Sequence, residues 1–294
     1  MRAAAVQLNS TEDKDANLGS ADRLVRAAAA AGAELVVLPE KFNLLGRHES
    51  YLAGAETLEG PTIGWARETA RELGIDLVAG SIVERREGHE KLGNTSVHVG
   101  SDGELNGVYR KIHMFDVTVG DKEYRESTTQ EAGDEVVVSE ARGASLGLTV
   151  CYDLRFPELF RILAIRGARV LTLPAAFTKV TGAAHWDVLV RARAIENQAF
   201  VIAADQIGVH PPDNESFGGS QIVDPWGEVL ARAPDEECFV AADLNLARQD
   251  EVRRTLPSLA NRVPSAYHWP DGLDQTAPVA EPVVSPMTEP GPSR

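Results

Sequence analysis

Cysteine is nearly absent from this chain of 294 residues: Cys151 and Cys238 are the only two. Two thiols do not make a disulfide framework, and no Cys/His spacing matches a zinc site. Cations are also scarce, with 29 Lys and Arg against 44 Asp and Glu and a formal net charge of -15. That balance argues against a sequence-independent grip on nucleic acid, which needs clustered Lys and Arg to displace counterions. No uninterrupted apolar stretch is long enough to span a bilayer, and the opening Met1-Arg-Ala-Ala-Ala-Val-Gln-Leu-Asn9 lacks the apolar centre of a secretory leader. No segment recurs at the period of a solenoid or propeller. Together these absences predict a reduced, cytoplasmic, soluble protein with no metal, nucleic-acid or membrane partner.

What is present is a large core: 43% of the residues are hydrophobic. The chain reads as one domain over residues 1–268. Residues 269–294 read as a disordered tail, rich in proline and acidic and small residues with little to pack. Along the domain, apolar strand-like runs at 3–8, 34–38, 75–83, 95–99, 135–139, 146–150, 168–173, 199–205 and 239–244 alternate with amphipathic helical stretches. The helices are expected at 18–31, 61–73, from Pro157 until Gly167 stops it, at 184–198, and from 245 to about 254. A hairpin is expected at 220–224 and 228–231 around Pro225-Trp226-Gly227. Many strands are apolar on both faces, so helices should cover them. Two stacked sheets between helix layers satisfy the strand count, but periodicity alone does not separate that arrangement from one doubly wound sheet.

Three reactive side chains follow directly on apolar strands: Glu40 after Leu35-Val-Val-Leu-Pro39, Lys111 after Val108-Tyr-Arg110, and Cys151 after Leu148-Thr-Val150. Ligands in open α/β sheets collect beyond strand carboxyl ends, so this placement brings the three within reach of one another. Their chemistry is coherent. A thiolate attacks a carbonyl, a carboxylate takes the thiol proton and later gives a proton to the departing amine, and an ammonium faces the developing oxyanion. Singly, none is informative, since a lone Cys after an apolar run is more often an inert small hydrophobe and most Lys and Glu are solvated. His113 raises a papain-like Cys-His dyad as an alternative, but no third orienting residue is evident in the sequence. Cys238 follows Asp235-Glu-Glu237, which would raise a thiol pKa, and is read as structural.

The flanking blocks are more specific. Leu38-Pro-Glu40-Lys-Phe-Asn43, Tyr109-Arg-Lys111-Ile-His-Met-Phe-Asp116 and Thr149-Val-Cys151-Tyr-Asp-Leu-Arg-Phe-Pro-Glu158 resemble, in order, the three motif blocks of the nitrilase superfamily, the carbon-nitrogen hydrolases. The resemblance continues through Gly182-Ala-Ala-His-Trp186, Arg191-Ala-Arg-Ala-Ile-Glu-Asn197 and Val223-Asp-Pro-Trp-Gly227, and so spans about residues 1–268. It implies a four-layer αββα sandwich of two mixed sheets flanked by helices, a homodimer or higher homo-oligomer, and hydrolysis of a non-peptide carbon-nitrogen bond with no cofactor. It also implies Cys151 as nucleophile, Glu40 as general base and Lys111 as oxyanion stabiliser, with help from the Tyr152 backbone N–H. A second carboxylate often lies between the Lys and Cys blocks in this family. Glu126, in Arg125-Glu-Ser127, matches it best, within a stretch at 118–129 that reads as a loop.

Nitrile-cleaving members usually carry Trp-Glu after the nucleophile, whereas this chain has Tyr152-Asp153. The block Tyr152-Asp-Leu-Arg-Phe-Pro-Glu-Leu159 is similar instead to the omega-amidase and deaminated-glutathione amidase branch. That branch implies a small carboxylate-bearing amide as substrate and ammonia as product. Arg155 is the candidate for holding the substrate carboxylate. Phe177, Thr178 and His185, with Trp186, are expected to line the pocket. The competing readings are a nitrilase or N-carbamoyl amino acid hydrolase on the same three residues, and a non-catalytic small-molecule-binding protein on the same fold. Pocket shape rests on stretches such as 44–58 and 209–217, which carry no readable code.

Overall fold

Short apolar runs punctuated by Gly and Pro build two mixed sheets, each with parallel strands at its centre. A computed structural model describes residues 1–267; the tail expected at 269–294 lies outside the described residues. Met1–Leu259 form one unit and Ala260 begins a second, whose described part holds a single 3-10 turn, Pro264–Ala266.

In the first sheet, Arg2–Gln7, Leu35–Val37 and Asp76–Val78 run parallel in that order. Cys238–Asp243 adds antiparallel at one side. Gly93–Val99 pairs antiparallel with Asp76–Val78, Ile82–Glu84 and Leu105–Arg110. The second sheet runs Val229–Arg232, Gln221–Val223, Phe200–Asp205, Val170–Ala175, Ala144–Leu148, Val138–Ala141, with its three parallel strands being Phe200–Asp205, Val170–Ala175 and Ala144–Leu148.

Period-two alternation decides how these sheets stack. Ala3, Ala5, Leu35, Val37 and Val78 of the first sheet share a core with Leu146, Leu148, Val170 and Val201 of the second. Their neighbours Ala4, Val6, Val36 and Leu77 face the other way, onto Ala21, Leu24, Val25 and Ala28 of helix Lys14–Ala30 and Ile63, Ala66 and Ala70 of helix Pro61–Leu73. Helices Pro157–Ile165 and Lys179–Asn197 supply Leu159, Phe160, Leu163, Trp186, Val190 and Ala194 to cover the second sheet. The result is the four-layer αββα sandwich, not a single doubly wound sheet.

The helix termini follow local chemistry. Asp13 caps Lys14–Ala30 by accepting from the Ala16 N–H at 3.1 Å. Pro61 opens its helix and Gly74, in the left-handed region, closes it.

Four stretches depart from expectation. The strand expected over 75–83 is two strands, because Gly80 takes φ +48° and turns the chain between Asp76–Val78 and Ile82–Glu84. The stretch 44–58 contains a helix, His48–Gly54. The stretches 118–129 and 209–217 contribute to hairpins, Asp116–Val119 with Lys122–Arg125 and Ile207–His210 with Asn214–Phe217, and a 3-10 turn at Glu126–Thr128 follows the first. Strands of 4 residues are too short for their alternation to be told from loop sequence.

Gly80 also lies against the turn that carries Glu40: a side-chain Cβ there would overlap the Pro39 carbonyl oxygen. Gly80→Ala is expected to lower unfolding free energy by about 2 kcal/mol or more, since it combines an unfavourable φ with a backbone clash. The urea midpoint measures it; a change under about 0.5 kcal/mol would mean that the turn relaxes freely.

Candidate active site

Each reactive side chain sits where a strand gives way to a turn. Leu35–Val37 ends before Leu38-Pro39-Glu40, Leu105–Arg110 ends at Lys111, and Ala144–Leu148 leads through Thr149-Val150 to Cys151. The first two belong to one sheet and the third to the other. Stacking the sheets brings Glu40, Lys111, Glu126 and Cys151 to the wall of one cavity of about 440 Å³.

The polar contacts converge on Lys111. Its Nζ donates to Glu40 Oε1 at 3.1 Å and to Glu126 Oε2 at 2.8 Å. Asn94 Nδ2 donates to Glu40 Oε1 at 2.7 Å and to Glu126 Oε1 at 3.0 Å, tying the two carboxylates together. Glu40 Oε2 accepts from the Ala176 N–H at 3.0 Å, and Glu126 Oε2 accepts from the Phe115 N–H at 2.9 Å. Glu40, Lys111 and Glu126 are all buried, so each charge depends on these partners rather than on water.

Cys151 opens a 3-10 turn, Cys151–Arg155, and adopts φ +49°, a left-handed conformation that costs a non-glycine residue about 1 kcal/mol. The fold holds it there from behind. Buried Asp153 accepts from the Val150 N–H at 2.8 Å, from the Tyr109 hydroxyl at 2.7 Å and from His113 Nδ1 at 2.7 Å. His113 also stacks on Phe156 at 3.6 Å between ring centroids. Its ring is thus committed to Asp153 and to bracing the turn, while the carboxylate beside the thiol is that of Glu40.

Electrostatics sort the groups. Burial pushes the Cys151 thiol well above its ordinary value, the neighbouring Glu40 carboxylate adds to the rise, and Lys111 opposes it. The resting thiol is therefore protonated. Burial opposes the charge on Lys111, but Glu126 and Glu40 outweigh it and raise its pKa well above the usual lysine value. Burial likewise works against the Glu126 carboxylate, yet Lys111 and Lys41 hold it well below the usual carboxylate range. An ammonium paired with carboxylates beside a neutral thiol is the resting state of a nucleophile activated by a base rather than by a standing thiolate.

The remaining candidates divide. Thr178 lines the main cavity, and Tyr152, Arg155, Phe177 and Thr178 line a recess of about 10 Å³ beside it, against Cys151. Arg155 Nη1 meets His185 Nδ1 at 3.1 Å, and its guanidinium lies 5.0 Å from the Phe177 ring centre. His185 is exposed on its helix and lines neither space. Trp186 is fully buried core, its indole N–H donating to the Gly219 carbonyl at 3.0 Å. Missing from the sequence-based set are Asn94, Lys41, Tyr51 and Gln130, which stand at or behind the cavity wall. Lys41 adjoins Glu40 in the first motif block, a signal that was available. Asn94 carried none.

Residues 2–254 match the family model described as carbon-nitrogen hydrolase. The chain belongs to that family. It is 40% identical over 267 residues to a Danio rerio omega-amidase NIT2, covering 90% of this chain and 96% of that protein. It is 41% identical over 266 residues to a deaminated glutathione amidase of Synechocystis, covering 89% and 97% respectively. The C. elegans NitFhit structure superposes with a TM-score of 0.84 at 34% identity, covering 91% of this chain and 66% of that longer one. This carbon-nitrogen hydrolase is thus an amidase of the nitrilase superfamily, with the expected sandwich fold.

Proposed function

We propose that this amidase hydrolyses the terminal amide of a small carboxylate-bearing substrate, a 2-oxo acid amide or deaminated glutathione, through a thioester on Cys151, and releases ammonia. One observation carries the assignment of roles: Lys111 Nζ stands between Glu40 and Glu126 at the wall of the cavity that Cys151 opens into. The substrate class is supported by the names of the relatives, an omega-amidase and a deaminated glutathione amidase.

In this mechanism Glu40 removes the thiol proton as sulfur attacks the amide carbon. The carbonyl oxygen takes the negative charge and faces Lys111 Nζ, helped by the Tyr152 N–H. Glu40 returns the proton to the amide nitrogen, the carbon-nitrogen bond breaks and ammonia leaves. Glu40 then takes a proton from water, hydroxide adds to the thioester carbon, and the carboxylic acid departs as the thiol is reprotonated. Glu126 keeps Lys111 charged and oriented throughout. The far end of the substrate needs space that the recess beside Arg155 does not offer. Its carboxylate is accordingly assigned to the cations that line the main cavity, Arg47, Lys122 and Arg125.

A homodimer is proposed on the outer helix layer, where Ile162 and Ile165 of one helix and Val188 and Ile195 of the other are exposed. A nucleophilic thiol also suits a reducing compartment, which supports a cytoplasmic location.

Intact-mass trapping tests the substrate class. Rapid quenching with a panel of 2-oxo acid amides, deaminated glutathione, carbamoyl amino acids and nitriles should give an acyl adduct on Cys151 with the first two. Adducts formed only with nitriles or carbamoyl compounds would reassign the substrate, and absence of any adduct or turnover would remove the catalytic roles.

A further inference from the structure

Beside the proposed catalytic groups lies a second buried ammonium that the mechanism above does not use. Lys41 is buried in the cavity wall immediately after Glu40. Its Nζ donates to Glu126 Oε1 at 3.1 Å and lies 4.9 Å from the centre of the Tyr51 ring. With its amide oriented to suit both neighbours, Gln130 donates to the same Glu126 oxygen at 3.1 Å and accepts from Lys41 Nζ at 3.2 Å. Lys41 itself sits at φ +51°, with its N–H donating to Ser81 Oγ at 3.0 Å. A long, charged side chain held in a left-handed backbone and turned into the interior is stabilised only if the site requires its charge.

The requirement comes from charge balance. Two carboxylates, Glu40 and Glu126, share Lys111, and one ammonium cannot neutralise both in a buried setting. We infer that Lys41 is a positioning residue that supplies the second positive charge, so that Glu126 stays ionised on Lys111 and Glu40 is left unprotonated as the base for Cys151. The titratable groups facing this cluster are Glu126, Glu40, Lys111, Tyr51 and Cys151, with Asp205 feeling the Glu40 carboxylate from behind. Burial works against the charge on Lys41, yet Glu126, Tyr51 and Glu40 together outweigh it and raise the pKa, so Lys41 is charged over the whole working range.

Lys41→Met keeps the length of the side chain and removes the charge. A carboxyl of the cluster should then bind its proton at higher pH, displacing the acid limb of the kcat/KM profile upward by about one unit or more. At a pH on that limb the loss relative to the parent protein should be about tenfold and should shrink as the pH rises. Lys41→Arg should restore the position of the limb. An unmoved limb with an equal loss at every pH would assign Lys41 to packing and overturn the inference. Because the inference rests on the amidase roles proposed above, a substrate-free readout accompanies it. Infrared difference titration of the buried carboxyl band should show the same upward displacement in Lys41→Met, and no displacement there overturns it even if the parent protein proves inactive on every amide tried. If Lys41→Met fails to fold, the titration is made on Lys41→Gln, with the same two outcomes.

Discussion

Replacing Cys151 by alanine is expected to lower kcat/KM for amide hydrolysis by roughly 10,000-fold or more and to abolish the acyl adduct, with the protein still folded. The large effect follows from mechanism: without sulfur, water must attack an unactivated amide directly, and only positioning and the charge on Lys111 remain to assist. The small structural effect follows from the surroundings. Cys151 stands at a cavity wall, so deleting Sγ enlarges an existing space rather than opening a new one. Glu40 keeps its bonds from Lys111, Asn94 and the Ala176 N–H. The left-handed φ at position 151 disfavours Ala and Cys alike. Ammonia release and a thermal melt on the same preparation check both halves. Ammonia release within a hundredfold of the parent rate would remove Cys151 from the chemistry.

Lys111→Met is expected to act on activity and stability together. Loss of the charge facing the oxyanion should cost about 1,000-fold in kcat, as removal of an oxyanion donor does elsewhere. Loss of the shared partner leaves two buried carboxylates competing for Lys41 and should cost about 3–5 kcal/mol of unfolding free energy near neutral pH. The pH dependence gives this prediction its sign. In the parent protein Glu126 is held below its ordinary pKa, so its stabilisation is complete above the unfolded-state value and is lost as pH falls through that value toward the folded one. In the variant the Glu126 pKa moves up, the ionised form no longer favours the fold to the same degree, and acidification relieves the uncompensated charge. The gap between the two proteins should therefore narrow as pH is lowered from about 7 to about 4.5. Urea midpoints at both values measure it; a gap independent of pH would mean that Lys111 contributes packing rather than charge.

Much of this molecule is written locally. The strand-like runs at 3–8, 34–38 and 199–205 are strands within a residue or so of their expected ends, and helix Pro61–Leu73 starts and stops as its proline and glycine dictate. These elements announce themselves because burial enforces one period along each of them. The hairpins around Lys122 and Asn214 do not, since each of their strands is only 4 residues long, too short for a period to stand out from the surrounding polar sequence. Where such segments wall a cavity, pocket shape is invisible to periodicity.

Sequence alone determined the family, through the three blocks around Glu40, Lys111 and Cys151, and it determined that each of those residues lies within a few positions of a strand's end. Tertiary structure alone decided that the strands divide into two stacked sheets and that His113 turns to Asp153. It also decided that His185 meets Arg155 outside the cavity and that Lys41 joins Glu126. The physical reason is the same in each case. A strand end is fixed by the few residues around it, whereas the partner of a buried charge is fixed by which distant segment the packing of two sheets delivers to it. Lys41 and Glu126 lie 85 positions apart in the chain and within one hydrogen bond in space.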